Sequence, residues 1–263
     1  MKKKVIYAGK QISYTIEGNG YPVILLHGFG EDSAIFQQQI NFLKEHCLLL
    51  VPDLPGSGYS AFNPSLQNIE DYAYAIKALL DAEQITQCKM LGHSMGGYIM
   101  LAFAEKFPEK LSALGLLHST AYADTPEKKE IRKRGIELIE AYGAHAFLKN
   151  TIPNLFSARY KETNFTEVAS LIEKGSDFSK EALQQYYTIM MNRPNRSVVL
   201  KNNPRPVLFI MGTEDAAVPI QDVLQQTCLP DCSYVHILQN IGHMGMLEAT
   251  DMFNQYLLAF VKQ

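Results

Sequence analysis

The chain has no tryptophan, four cysteines and no excess of either charge. Each of these shortages closes off a class of protein. Four cysteines in 263 residues are too few for a disulfide framework. Cys228 and Cys232 have three residues between them, which matches neither a redox pair nor a recognisable zinc set. Cys47 and Cys88 open apolar runs and read as small core residues. The formal net charge of −3 supplies no electrostatic reason to bind nucleic acid or an anionic membrane. No apolar run is long enough for a membrane span. The N-terminus, MKKKVIYAGKQ, starts like a signal peptide, but Gly9, Lys10 and Gln11 interrupt any apolar segment. It reads instead as a first strand, and the expected location is the cytoplasm.

What remains is an ordinary globular composition, 47% apolar and 19% charged, in a length that suits one large α/β domain. KVIYA and QISYTIEG, separated by a Gly9-Lys10 turn, predict a hairpin. Unbroken apolar runs follow at VILLH (23–27), LLLVPD (48–53), CKMLG (88–92), LSALGLLH (111–118), PVLFIMG (206–212) and YVHILQN (234–240). Such runs are what strands need when a sheet is covered on both faces. Between them Ile69, Tyr72, Ala73, Ile76, Leu79 and Leu80 keep helical spacing, as do Phe253, Leu257, Leu258 and Val261 near the end. Alternating strands and helices predict parallel βαβ units.

Residues 121–197 break this rhythm, being too long for a simple crossover. Three apolar stripes make them helical: Ile131, Leu138, Ile139, Tyr142 and Ala146; then Val168, Leu171 and Ile172; then Leu183, Tyr186, Tyr187 and Met190. We read this stretch as a helical cap inserted after the sixth strand, on a core made of residues 1–120 and 198–263. The alternative is a set of helices on the sheet flank, away from any site. The cap reading is favoured because the insertion leaves from the C-terminal end of a strand, where α/β sites lie.

The chemistry centres on Gly92-His93-Ser94-Met95-Gly96, between the strand-like CKMLG and the helix-like YIMLAFAEKF. A serine on a sharp strand-to-helix turn needs small neighbours two residues away on either side, and the new helix aims its free N–H groups at the same place. A hydroxyl becomes a nucleophile only with a base and an acid that orients the base. Among seven histidines, His243 stands on a Gly-flanked loop, IGHMGMLE, after the last strand-like run. PVLFIMGTEDAAVP delivers Glu214 and Asp215 to the same sheet edge; Asp215 is preferred, with Glu214 as runner-up and a turn-capping role open to Asp215. The glycines of HGFG (27–30) allow the backbone N–H of Phe29 to face the serine, and the N–H of Met95 would be the second oxyanion donor. His27, Gly28, His93 and Asp53 (in DLPGSGYS, 53–60) are read as structural support, with Asp53 hydrogen-bonding loop backbone near HGFG. His118 ends a strand; His46 and His145 are surface or packing residues.

Taken in order, HGFG, DLPGSGYS, GHSMGG (92–97), the GTED strand end and GHMGMLE (242–248) resemble the α/β-hydrolase fold, in its capped esterase/lipase form, over essentially the whole chain. The chain order Ser94, Asp215, His243 is the one found in that fold. The resemblance implies an eight-stranded, mostly parallel sheet with helices on both faces, a helical lid, and hydrolysis through an acyl-serine without cofactor or metal. Departures narrow the chemistry. Ser94 stands where dehalogenases and epoxide hydrolases have Asp and where dienelactone-type enzymes have Cys. His93 and the absence of tryptophan differ from carbon–carbon bond hydrolases, Tyr98 replaces the arginine of the menaquinone-pathway member, and Phe29 replaces the middle glycine of HGGG lipases. The expected partner is a small-molecule ester, thioester or lactone of small or medium acyl size. Phe29, Met95 and Met244 are pocket candidates beside the site, and Phe147, Phe156, Tyr187 and Met190 from the cap, each with a plain core role as alternative. Acyl transfer, cofactor-free perhydrolysis on the same triad and a slow-turnover ligand receptor stay open.

Overall fold

The β-branched and leucine-rich runs assemble into one sheet in the computed structural model, which describes residues 1–263. The strands are β1 (Lys2–Tyr7), β2 (Lys10–Glu17), β3 (Pro22–Leu26), β4 (Leu48–Pro52), β5 (Cys88–His93), β6 (Leu111–Leu117), β7 (Val207–Gly212) and β8 (Ser233–Leu238). Their order across the sheet is β1-β2-β4-β3-β5-β6-β7-β8. β2 runs antiparallel to both its neighbours, and every pairing from β4 to β8 is parallel. The hairpin turn falls on Ala8-Gly9, one residue before the expected Gly9-Lys10. Both turn residues have positive φ, 46° and 73°, the geometry that matches the twist of a two-residue hairpin.

Helices α1 (Gln37–Leu43), α2 (Ile69–Ala82) and α3 (Met95–Lys106) occupy the first half. Asn68 caps α2 and Asp71 reaches back to the Asn68 N–H, a reciprocal box that sets where the helix starts. Every side chain of β5 and β7 is buried, because helices cover both faces.

Between β6 and β7 lie α4 (Pro126–Tyr142), α5 (Ala144–Thr151), α6 (Ala158–Thr163), α7 (Phe165–Lys174), α8 (Lys180–Asn192) and α9 (Ser197–Lys201). Of the stripe expected along α4 only Ile139 is buried, together with Gly135, whereas Ile131, Leu138 and Tyr142 are exposed. Gly135 brings α4 close to α8, since a Cβ there would lie 2.4 Å from Tyr187 Cε2. The chain ends with α10 (Ile220–Leu224), α11 (Gly245–Glu248) and α12 (Thr250–Val261). No helix is long and apolar enough to cross a membrane. All four cysteines are free.

The register lines up the parallel strands at their C-terminal ends. Leu26 pairs with Gly92, His93 with Leu117 and Leu117 with Ile210. Loops leaving β3, β5, β6 and β7 therefore emerge side by side, and chemistry-bearing residues more than a hundred positions apart meet there.

Candidate active site

Ser94 sits between β5 and α3 with φ 50° and ψ −117°, a backbone state that costs a non-glycine residue about 1–3 kcal/mol. The surroundings hold it there. Its N–H donates to Leu117 O at 3.0 Å, and Ser119 Oγ donates to Ser94 O at 2.7 Å. The turn is tight enough that a Cβ on Gly92 would lie 2.3 Å from the Gly96 carbonyl carbon, and one on Gly96 2.3 Å from Leu26 O. Only glycine fits both places. As the first residue of α3, Met95 has no intrahelical partner for its N–H.

The loop after β3 lies directly against this turn, since a Cβ on Gly28 would be 3.1 Å from Ser94 Cβ. Within the loop the Phe29 N–H makes no hydrogen bond to the protein. Its shape is set by its neighbours. Glu31 accepts the Gly28 N–H at 2.7 Å, and Asp53 accepts the N–H groups of Ser33 and Tyr59, both at 2.9 Å. His27 Nε2 accepts the Leu54 N–H at 2.9 Å and meets Ser57 Oγ at the same distance. Asp53 and His27 thus tie the loops after β3 and β4 together.

From the far side of the sheet, His243 Nδ1 lies 2.8 Å from Asp215 Oδ2 and 3.0 Å from Oδ1. Asp215 Oδ1 also accepts the N–H groups of Ala217 and Val218 at 2.9 and 2.8 Å, so the carboxylate caps its own turn as well as holding the imidazole. Glu214 is exposed and has no such contact. Burial would push the Asp215 carboxyl up, but His243 and His118 beside it outweigh burial and hold it far below the usual carboxylate range. It stays charged at neutral pH. Glu248 fixes the His243 loop by accepting the N–H groups of Gly242 and Met244 at 3.1 and 3.3 Å.

Ser94 and His243 line one cavity of about 150 Å³ with Phe29, Tyr98, Tyr187 and Met190. Phe29 stacks on Tyr187 with ring centroids 4.3 Å apart. Phe147, Phe156 and Met244 do not line it. Phe147 packs edge-on behind Phe29 and Tyr187, Phe156 stacks on Tyr160, and Met244 and Met95 are buried. The helical insertion touches several loops around the cavity. Tyr187 meets the loop after β3, Tyr186 Oη donates to Pro55 O at 2.9 Å in the loop after β4, and Leu155 O accepts the His243 N–H at 2.7 Å.

Three residues are given no role by the sequence, Glu31, Arg132 and His118, and the first is the partner of His93, which the sequence reads as structural support. Glu31 and His93 form a buried pair: His93 Nδ1 is 3.0 Å from Glu31 Oε2, and His93 Nε2 is 3.0 Å from His243 O. Both ring nitrogens face acceptors, and only an imidazolium can donate at both ends. Burial pulls the His93 pKa down, but Glu31 overrides it and the net shift is upward; for Glu31 burial works upward and His93 brings it net down. Arg132 reaches the cavity wall from α4 and pairs with the buried Asp124, which also holds Arg193 at 2.8 Å. His118 bonds Asp215. Position at the end of a strand was the one signal available for His118; Glu31 and Arg132 carry none apart from their partners.

Residues 21–135 match the alpha/beta hydrolase fold family. The chain is 27% identical over 246 residues to the dihydrolipoyllysine-residue acetyltransferase component of the acetoin cleaving system of Pseudomonas putida, covering 93% of this chain but only 64% of that protein. It is 23% identical over 279 residues to the 2-hydroxy-6-oxo-2,4-heptadienoate hydrolase of Pseudomonas putida, with 98% and 96% covered. Among solved structures it is similar to a thermophilic esterase from Thermogutta terrifontis, malate bound, at a TM-score of 0.93 and 25% identity over 100% of this chain and 98% of the other.

Proposed function

We propose that this chain, which has the α/β-hydrolase fold, is a serine hydrolase cleaving a small carboxylic ester, thioester or lactone. The observation that carries this reading is the convergence on one cavity wall of Ser94, on its strained turn, and His243, whose second nitrogen is engaged by a charged Asp215. Asp215 accepts from Nδ1–H and leaves Nε2 free to act as base. His243 then takes the Ser94 proton as Oγ attacks the acyl carbon, and returns it to the leaving oxygen or sulfur as the acyl-serine forms. Water, activated by the same imidazole, releases the acid. The unbonded N–H of Phe29 and that of Met95 would receive the developing oxyanion; donors of this kind contribute roughly 3 kcal/mol each. Residues 121–197 would act as the cap over this site.

A cavity of about 150 Å³ is small beside the roughly 300–1,000 Å³ of drug-sized pockets, and favours short acyl groups. A fluorophosphonate probe should label the wild-type protein once and Ser94→Ala not at all, with turnover of short 4-nitrophenyl esters rising with pH as the base loses its proton. Labelling of Ser94→Ala would refute the assignment. Similarity to an acetyltransferase component supports a second reading, acyl transfer on the same serine. Product analysis with an alcohol, thiol or peroxide competing against water separates the two.

A further inference from the structure

Asp215 carries a second imidazole. His118 is the residue after β6, fully buried and absent from the cavity wall. Its backbone bends into the left-handed region, φ 48°, which few non-glycine residues adopt without a reason. The bend keeps its N–H on Ile210 O at 2.8 Å and sets Nδ1 3.1 Å from Asp215 Oδ2. The ring lies nearly parallel to Phe253, 12° between planes. Its Nε2 has no hydrogen-bond partner, and it crowds Gly245, where a Cβ would lie 2.3 Å away.

These contacts define the protonation of the ring. A carboxylate only accepts, so Nδ1 carries the hydrogen. Nε2 faces nothing that would accept a proton's charge, and burial pushes the imidazole down to about 4 despite the pull of Asp215. His118 is therefore a neutral, fixed donor. Asp215 then holds two backbone N–H groups and two imidazole N–H groups, which leaves its carboxylate plane no freedom to turn.

We propose that His118 is a positioning residue for His243, pinning Oδ2 of Asp215 so that the carboxylate presents one fixed face to His243 Nδ1–H. The proposal rests on the triad reading above. It also has a chemical consequence. A carboxylate that already shares its charge with a second donor stabilises the His243 imidazolium less than one that does not. The other charged groups in the neighbourhood are His93, 6.1 Å from His118 and 4.8 Å from His243 between ring centroids and paired with Glu31, Glu248 behind the His243 loop, and Arg132, which lines the cavity with His243 and pairs with Asp124. On α12 the group facing His118 is the apolar Phe253.

The test is the pH profile of kcat/KM on 4-nitrophenyl acetate for wild type, His118→Phe and His118→Asn. Phenylalanine keeps the ring against Phe253 but donates nothing. It should lower kcat about ten-fold, the effect of one hydrogen bond to a charged group, with KM within about two-fold, and move the acid limb to higher pH. Asparagine can place an amide N–H near the position of Nδ1 and should restore the limb and most of kcat. A role in packing alone would change stability without moving the limb. An unmoved limb with kcat within about two-fold in His118→Phe overturns the proposal. Should that variant not fold, ¹⁵N-histidine NMR of the wild type decides the matter. Nδ1-protonated neutral His118 across roughly pH 5 to 9 supports it, and the Nε2–H tautomer or an imidazolium in that range overturns it. Absence of turnover and of probe labelling in the wild type would instead overturn the hydrolase reading, and the NMR result would still decide whether His118 shares Asp215.

Discussion

Replacing Glu31 by glutamine retains the side chain's shape and an acceptor for the Gly28 N–H, but removes the charge facing His93. Both residues are buried, at 8% and 0% exposure, with 3.0 Å between Oε2 and Nδ1. Breaking one side of a buried pair costs about 3–5 kcal/mol. At about 2–4 °C per kcal/mol for a chain near this size, the melting temperature should fall by roughly 6–20 °C. The lower end is the better expectation, because His93 can shed its proton. The pH dependence follows from the two directions of shift. Glu31 is depressed, so its contribution is present above the ordinary carboxylate range and is lost as pH falls through its folded value. His93 is raised, so its contribution is complete below its ordinary value and is lost as pH rises through the folded one. The gap between wild type and Glu31→Gln should thus be widest near pH 5–6, between those ordinary values of about 4.3 and 6.5, and should narrow in alkali. Thermal unfolding followed by circular dichroism at mildly acid and alkaline pH measures it. A melting temperature within about 2 °C of wild type at mildly acid pH, or a gap that widens with pH, would refute the ion-pair argument.

Other substitutions probe separate parts of the molecule. Gly92→Ala places a Cβ 2.3 Å from backbone of the next turn and should prevent native folding, read as loss of folded protein or of the cooperative melt. Asp124→Asn leaves Arg132 and Arg193 without their shared counter-charge and should cost about 3–5 kcal/mol in urea unfolding. Tyr187→Ala removes the ring stacked on Phe29 at the cavity; we expect a loss of about 3 kcal/mol in stability and a shift of 4-nitrophenyl ester preference toward longer acyl chains.

The fold was legible because a sheet covered on both faces leaves a plain trace: each of the unbroken apolar runs is a strand. The placement of Ser94, Asp215 and His243 beyond strand ends was legible for a related reason, since strand ends and flanking glycines mark where loops emerge. Hydropathy failed on α4. It ranks Arg132 as a surface residue and Ile131 as a core one, whereas Asp124 draws Arg132 inward and leaves Ile131 at 65% exposure. His118 and Glu31 lay beyond reach for a different reason. Their partners stand 97 and 62 residues away, and a pairing across loops has no local signature.

The insertion between β6 and β7 does more than line the cavity. Tyr187 leans on Phe29, whose backbone is the proposed oxyanion donor, and Leu155 O holds the main chain of His243. The two sides of the proposed reaction centre are therefore braced by a segment that contains neither Ser94 nor His243. A core stripped of residues 121–197 would be an unfinished workbench rather than an open door. Exchanging this segment for another should alter the rate of bond cleavage together with the choice of substrate, so selectivity and turnover in this scaffold would evolve as one trait.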